Sequence, residues 1–354
     1  MRVHDAELDS SLSNTTHEPS AQPVTDASHL EQNSRTWSGA RSTALILLLV
    51  YAFGLGTGYL FWGRTPIRPF NTATQTGDSS PAGSPTVEKT YPSAEQAAPA
   101  LQVSMPAEYT IPISYGDIGP QLLTAGAINH SLFAQVYEQA GQPLTKQQLE
   151  ILTQGSEAPI VISRENAYFL LNFFWALGLT NQNPILEEGP MMQHGKGDIG
   201  GYASTGGWTI GAKPATALYS SAPIITLTPE QQARLEEVAK AVYRPCCNNP
   251  TAFPDCNHGM ATLGLLELMA SQDASVDEMF TAAKYANAFW FPQQSLELAI
   301  VFKATRGLDF AEVDARQLVS AEVSSGSSFR ALHQWLVENK LLDQIPNTGS
   351  SCGV

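Results

Sequence analysis

Residues 167–179 read AYFLLNFFWALGL. The run is apolar nearly all round, with Asn172 the one strongly polar side chain inside it. A helix that is hydrophobic on every face is a buried helix. At about 1.5 Å per residue, thirteen residues fall well short of a hydrocarbon core of about 30 Å. The segment Arg164–Leu179 is therefore read as the buried central helix of a mainly α-helical domain, with Ser163 as its expected cap and Gly178 near its C-terminal end.

Working outward, Pro159–Ile162 reads as a short strand, and Asp117–Ala127, Ser131–Ala140 and the stretch after Thr145 as short amphipathic helices. Thr228-Pro229-Glu230 combines a capping residue, proline in the first turn and an acid, and starts another helix. Cys256 or Asn257 starts the helix HGMATLGLLELMA. Ser275 and Glu278 have capping-box spacing. Pro292–Lys303, Phe310–Leu318 and Ser328–Lys340 complete a helical set. Strands and helices do not alternate, which argues against a doubly wound sheet. From Asn181 to Thr226 no helix is expected, so that stretch reads as a long, Gly-rich irregular loop inside the domain.

The N-terminal third differs in composition. Residues 1–41 are polar and poor in large apolar groups, the composition of a disordered tail. Residues 42–63, STALILLLVYAFGLGTGYLFWG, hold nineteen uncharged residues from Ala44 to Trp62. That length and apolarity predict a single-pass transmembrane helix with its aromatic belt at Tyr59, Phe61 and Trp62. Gly54 and Gly58 have the spacing of a weak helix-dimer contact. Residues 64–106, rich in Pro, Ser and Ala, read as a linker, and 107–354 as the folded α-rich domain. On this reading the protein sits in the cell membrane through residues 44–62, with the large C-terminal domain outside the cytoplasm and an envelope protein as a candidate partner.

The chain has 354 residues, with 19 Lys+Arg against 33 Asp+Glu, a formal net charge of −14. A balance so acidic argues against a nucleic-acid partner, since phosphate binding needs a basic face.

The chemistry concentrates in residues 244–260, RPCCNNPTAFPDCNHGM. Cys246, Cys247 and Cys256 are followed by His258. Thiolate and imidazole are ligands of soft or borderline metals, so the expected cofactor is copper, zinc or haem iron. Cys256 at a helix start is favoured as thiolate by the helix dipole. His194, in Met191-Met192-Gln193-His194, is a further candidate ligand from the Gly-rich stretch. The spacing matches neither C-x-x-C nor a zinc finger.

Two alternatives stand beside metal binding. Cys256 could act as a redox thiol or nucleophile, with His194 or His258 as base. The cysteines could instead form structural disulfides, 246–256 with 247–352 or 247–256 with 246–352. Gly195-Lys-Gly-Asp-Ile-Gly200 matches G-x-G-x-x-G literally, but no strand precedes it and no helix is expected after it, so a dinucleotide site is excluded.

Overall fold

A computed structural model describes residues 93–342, all within one unit, Pro85–Val354. The described chain is mainly helical, as expected. It opens with α1 (Ala94–Ala100) and β1 (Glu108–Gly116), then α2 (Ile118–Ala125), α3 (His130–Gln139) and α4 (Lys146–Gln154). Strand β2 (Ser156–Ser163) leads into α5 (Ala167–Thr180). Four short helices follow: α6 (Pro184–Glu187), α7 (Pro190–Gly195), α8 (Ala203–Gly206) and α9 (Ala215–Leu218). The longer ones are α10 (Pro229–Ala241), α11 (Asn257–Ser271), α12 (Val276–Trp290) and α13 (Pro292–Arg306). After a 3-10 turn at Phe310–Glu312 come α14 (Ala315–Leu318), α15 (Ala321–Ser324) and α16 (Gly326–Glu338).

Helix α5 is the centre of the core. Of its residues only Tyr168 is not buried. Asn172 is tolerated inside because its amide donates to the Tyr137 hydroxyl at 3.0 Å, and that hydroxyl in turn donates to the Tyr168 carbonyl. The partner of α5 is α11, and the two backbones touch. A Cβ at Gly178 would run into the Met260 carbonyl, and one at Gly264 into the Phe174 carbonyl. Only glycine permits this crossing, so both glycines are fixed by packing rather than by turn geometry. The expected cap, Ser163, is replaced by Asn166. Its side chain accepts from the Ser163 N–H and donates to the Val161 carbonyl, tying the helix start to β2.

Four other helix starts follow the sequence rules. Thr145, Thr228 and Ser275 form capping boxes, and Cys256 is the N-cap of α11. Strand β1 was not expected. It pairs antiparallel with β2, Tyr109 opposite Ile162 and Ile111 opposite Ile160. Ile111, Ile113 and Tyr115 face the core, while Pro112, which cannot donate to a ladder, falls where the register shifts between Ile111 and Ser114.

Two expectations are corrected. The stretch 181–226 is not an irregular loop. Its short helices α6–α9 are held by Trp208, whose indole N–H donates to Ala127 O at 2.8 Å, and by Asn181, which accepts from the Ile225 N–H. The expectation of a single-pass membrane protein located in the cell membrane is corrected as well. Among the described residues no helix is long and apolar enough to cross a membrane. The run 42–63, with Gly54 and Gly58, lies outside the described residues, as do the tail 1–41 and residues 64–92 of the stretch read as a linker. Within that stretch, Ser93 caps α1 through a capping box, and Ala94 and Ala97 pack against Ile300, Val301 and Leu336 of α13 and α16.

One buried acid sits on α11, near the chain that leaves α5. Glu267 is fully buried on α11, and neither carboxylate oxygen has a hydrogen-bond partner. Asn181 and Asn183 are its polar neighbours, too weakly placed to offset burial, which pushes its pKa well above 4.5. The folded state therefore favours the protonated acid. Stability from this group is fully present below the unfolded carboxylate value and is lost as pH rises through the folded one.

Two outcomes follow from the seam. Glu267→Gln should melt with wild type near pH 4 and above it at pH 8; a wild-type melting temperature that does not fall relative to the variant with rising pH contradicts this. Gly264→Ala gains about 1 kcal/mol of helix propensity but meets backbone that cannot yield, an overpacking cost of about 1–3 kcal/mol. The expected net is a melting temperature lowered by several degrees, and an unchanged or raised value would show that the helices do not touch there.

Candidate metal centre

The cysteine segment is the connection from α10 to α11. It turns back on α10, with Thr251 N–H bonded to Val242 O and Ala252 N–H to Ala239 O. Pro250 and Pro254 restrict its backbone. The start of α16 closes over the other side: Gly326 N–H donates to Cys247 O at 2.7 Å, and Ser327 N–H to the Asn248 side chain. The loop is thus fixed by three helices before any ligand is considered.

At its centre lies Arg244, fully buried. Its Nε donates to Cys256 Sγ at 3.1 Å, one terminal nitrogen to Asn249 O at 3.2 Å, and the other to Asp255 Oδ1 at 3.1 Å. Asn249 Nδ2 holds the second Asp255 oxygen at 2.8 Å. A Cβ at Gly259 would fall on the guanidinium, so this glycine makes room for the arginine. Burial works against the Arg244 charge; the cysteine sulfurs, Cys256 first, outweigh it and raise its pKa. Removing a buried ion-pair partner is among the costlier single changes, about 3–5 kcal/mol.

Three sulfurs gather on this cation. Cys256 Sγ accepts from the Gly259 N–H at 3.3 Å as the helix cap, and lies 3.4 Å from Cys246 Sγ. Cys247 Sγ points to Asp255 Oδ1 at 3.6 Å. The three share one pattern of ionisation. Cys246 and Cys247, and with them Arg244, hold the Cys256 thiol well below its usual value despite burial. Cys246 is pushed up by the same sharing with Cys247 and Cys256 and by burial. For Cys247 the contact with Cys246 lowers the pKa, but proximity to Cys256 and burial carry it up to about 12. Of the three, Cys256 is the one whose thiol is held low.

His258, on the first turn of α11, lies against Phe291 at 4.3 Å between ring centroids. Burial pushes its pKa down to about 4, with the Cys256 charge opposing and Arg244 adding to the effect. It is a neutral imidazole, the form that binds metals, and its buried Nδ1 has no hydrogen-bond partner.

These side chains form two groups. Cys246, Cys256 and His258 present ligand atoms all within 4.8 Å of one another; so do Cys247, Asp255 and Cys256. The cluster could hold a metal ion. His194 belongs to neither group. It is exposed on α7, and its ring packs edge-on to Phe253 at 5.9 Å, with Tyr202 on the same phenyl ring at 5.8 Å. The Gly-rich stretch does reach the cysteine loop, through the Ser204 N–H, which donates to Asp255 O at 3.1 Å.

The disulfide alternative is corrected for its 246–256 and 247–256 pairs: among the described residues Cys246, Cys247 and Cys256 are free thiols, and the pairings with Cys352 lie outside the described residues. Sequence reasoning passed over Arg244 and Asp255. The available signal was their placement, Arg244 two residues before the Cys pair and Asp255 beside Cys256.

Comparison with protein-family models, with curated proteins and with solved structures gives no match. What fold and site define is therefore a class: a mainly helical protein with a half-buried Cys/His cluster that could hold a metal.

Proposed function

We propose that this protein binds a thiophilic metal ion, Cu(I) or Zn(II), through Cys246, Cys256 and His258, with Cys247 and Asp255 alongside. The observation that carries the reading is the convergence of two sulfurs and an imidazole within 4.8 Å around the buried Cys256. A tetrahedral ion at about 2.3 Å from each sulfur keeps the sulfurs roughly 3.8 Å apart. The Cys246–Cys256 separation of 3.4 Å needs only a small opening to reach that spacing. The unpartnered Nδ1 of His258 supports the same reading, because an orphaned buried ring nitrogen is costly unless something fills its place. Haem iron fits less well. Three protein donors converging on one point leave no room for four porphyrin nitrogens. Thiolate donors favour Cu(I) and Zn(II) over hard cations.

A second reading has one observation behind it. The Cys256 thiol is depressed by its neighbours and by Arg244, which is also how a nucleophilic cysteine is prepared. Against it, Cys256 is only 5% exposed, and its sulfur already accepts from Arg244 and Gly259.

The full chain, purified without reductant or chelator, is analysed for metal and for thiols titrated after denaturation. The expected result is bound copper or zinc with free thiols, and loss of that metal in Cys246→Ser. A metal-free protein that takes up neither ion, and in which Cys256 alone is rapidly alkylated, would contradict metal binding in favour of thiol chemistry.

A further inference from the structure

The five donors of the cluster do not converge on one point. Cys246, Cys256 and His258 form one set, and Cys247, Asp255 and Cys256 another. Cys247 and His258 do not share a set, so in this arrangement an ion held by Cys246, Cys256 and His258 leaves Cys247 and Asp255 as a separate group. The cysteine loop is held by Arg244 and by Gly326 and Ser327 at the start of α16. Cys256 Sγ is the only atom common to both sets.

We infer that the cluster is a two-metal centre, with Cys256 Sγ bridging one ion bound by Cys246 and His258 and a second bound by Cys247 and Asp255. The inference rests on the metal-binding reading above and extends it from one ion to two.

Two observations support the bridge. Cys256 occupies the middle of the cluster, against Cys246 on one side and within reach of Cys247 and Asp255 on the other. It receives N–H groups from Arg244 and Gly259, outer partners that orient and stabilise a metal-bound thiolate. The second set differs from the first in having an oxygen donor, so the two ions would not be equivalent. The one on Cys247 and Asp255, whose carboxylate is also held by Arg244 and Asn249, should be the weaker.

The reduced full-length chain is titrated anaerobically with Cu(I), and separately with Zn(II), in competition with a chromophoric chelator. The expected result is a plateau at two equivalents for at least one ion, with a tighter and a weaker step. Cys247→Ser and His258→Ala should each reduce the plateau to one equivalent, from opposite sides of the bridge. Cys256→Ser should lower both affinities; should that variant fail to fold, the other two variants still decide the matter. A wild-type plateau at one equivalent for both ions overturns the pair and leaves the single-ion reading standing. Two equivalents that survive Cys247→Ser overturn it too, because the second ion then lies elsewhere. No uptake of either ion overturns both readings.

Discussion

The contact on which the rest of the structure depends is the backbone-to-backbone crossing of α5 and α11 at Gly178 and Gly264. Close approach of two helices removes the side-chain layer between them, so neither can rotate or slide without collision. Helix α5 is buried all round, and α11 nearly so. Once α5 is fixed in the core, α11 is fixed, and with it the orientation of its first turn. That turn carries Cys256 as cap, His258 and Gly259. The cluster is therefore built on the start of the most firmly held helix, which is how a site keeps its geometry.

A second constraint acts at that end. Arg244 is a buried cation that needs anionic partners, and it finds Asp255 and the Cys256 sulfur. Cys246 and Cys247, and then Arg244, favour the thiolate at Cys256, and the bond from Arg244 to Asn249 shapes the loop that brings Cys246 and Cys247 in. One guanidinium thus links the folding of the loop to the ionisation of the cluster. Burial against Phe291 lowers the His258 pKa and favours the neutral ring, with Arg244 adding to the effect. An anionic sulfur and a neutral imidazole side by side are the protonation states that metal binding requires.

The central helix was legible in the sequence because an all-round apolar run of that length has few other fates. The helix starts at Thr145, Thr228 and Ser275 were legible because capping is local chemistry. Strand β1 was hidden by Pro112, which ordinarily argues against a strand and here sits at a register shift. The short helices of 181–226 were hidden because each is held by distant partners, Trp208 by Ala127 and Asn181 by Ile225, and carries little periodicity of its own. In the site, residue types pointed to Cys246, Cys247, Cys256 and His258. Spacing alone could not reveal that Asp255 joins Cys247, that Arg244 lies beneath, or that His194 turns to Phe253 instead.

The central claim is that sulfur and imidazole together bind the metal. Metal K-edge X-ray absorption on the copper- or zinc-loaded full chain reads the donor atoms directly. The account predicts a first shell dominated by sulfur near about 2.3 Å with a nitrogen contribution near about 2.0 Å. A shell of oxygen and nitrogen without sulfur would place the ion elsewhere and contradict it.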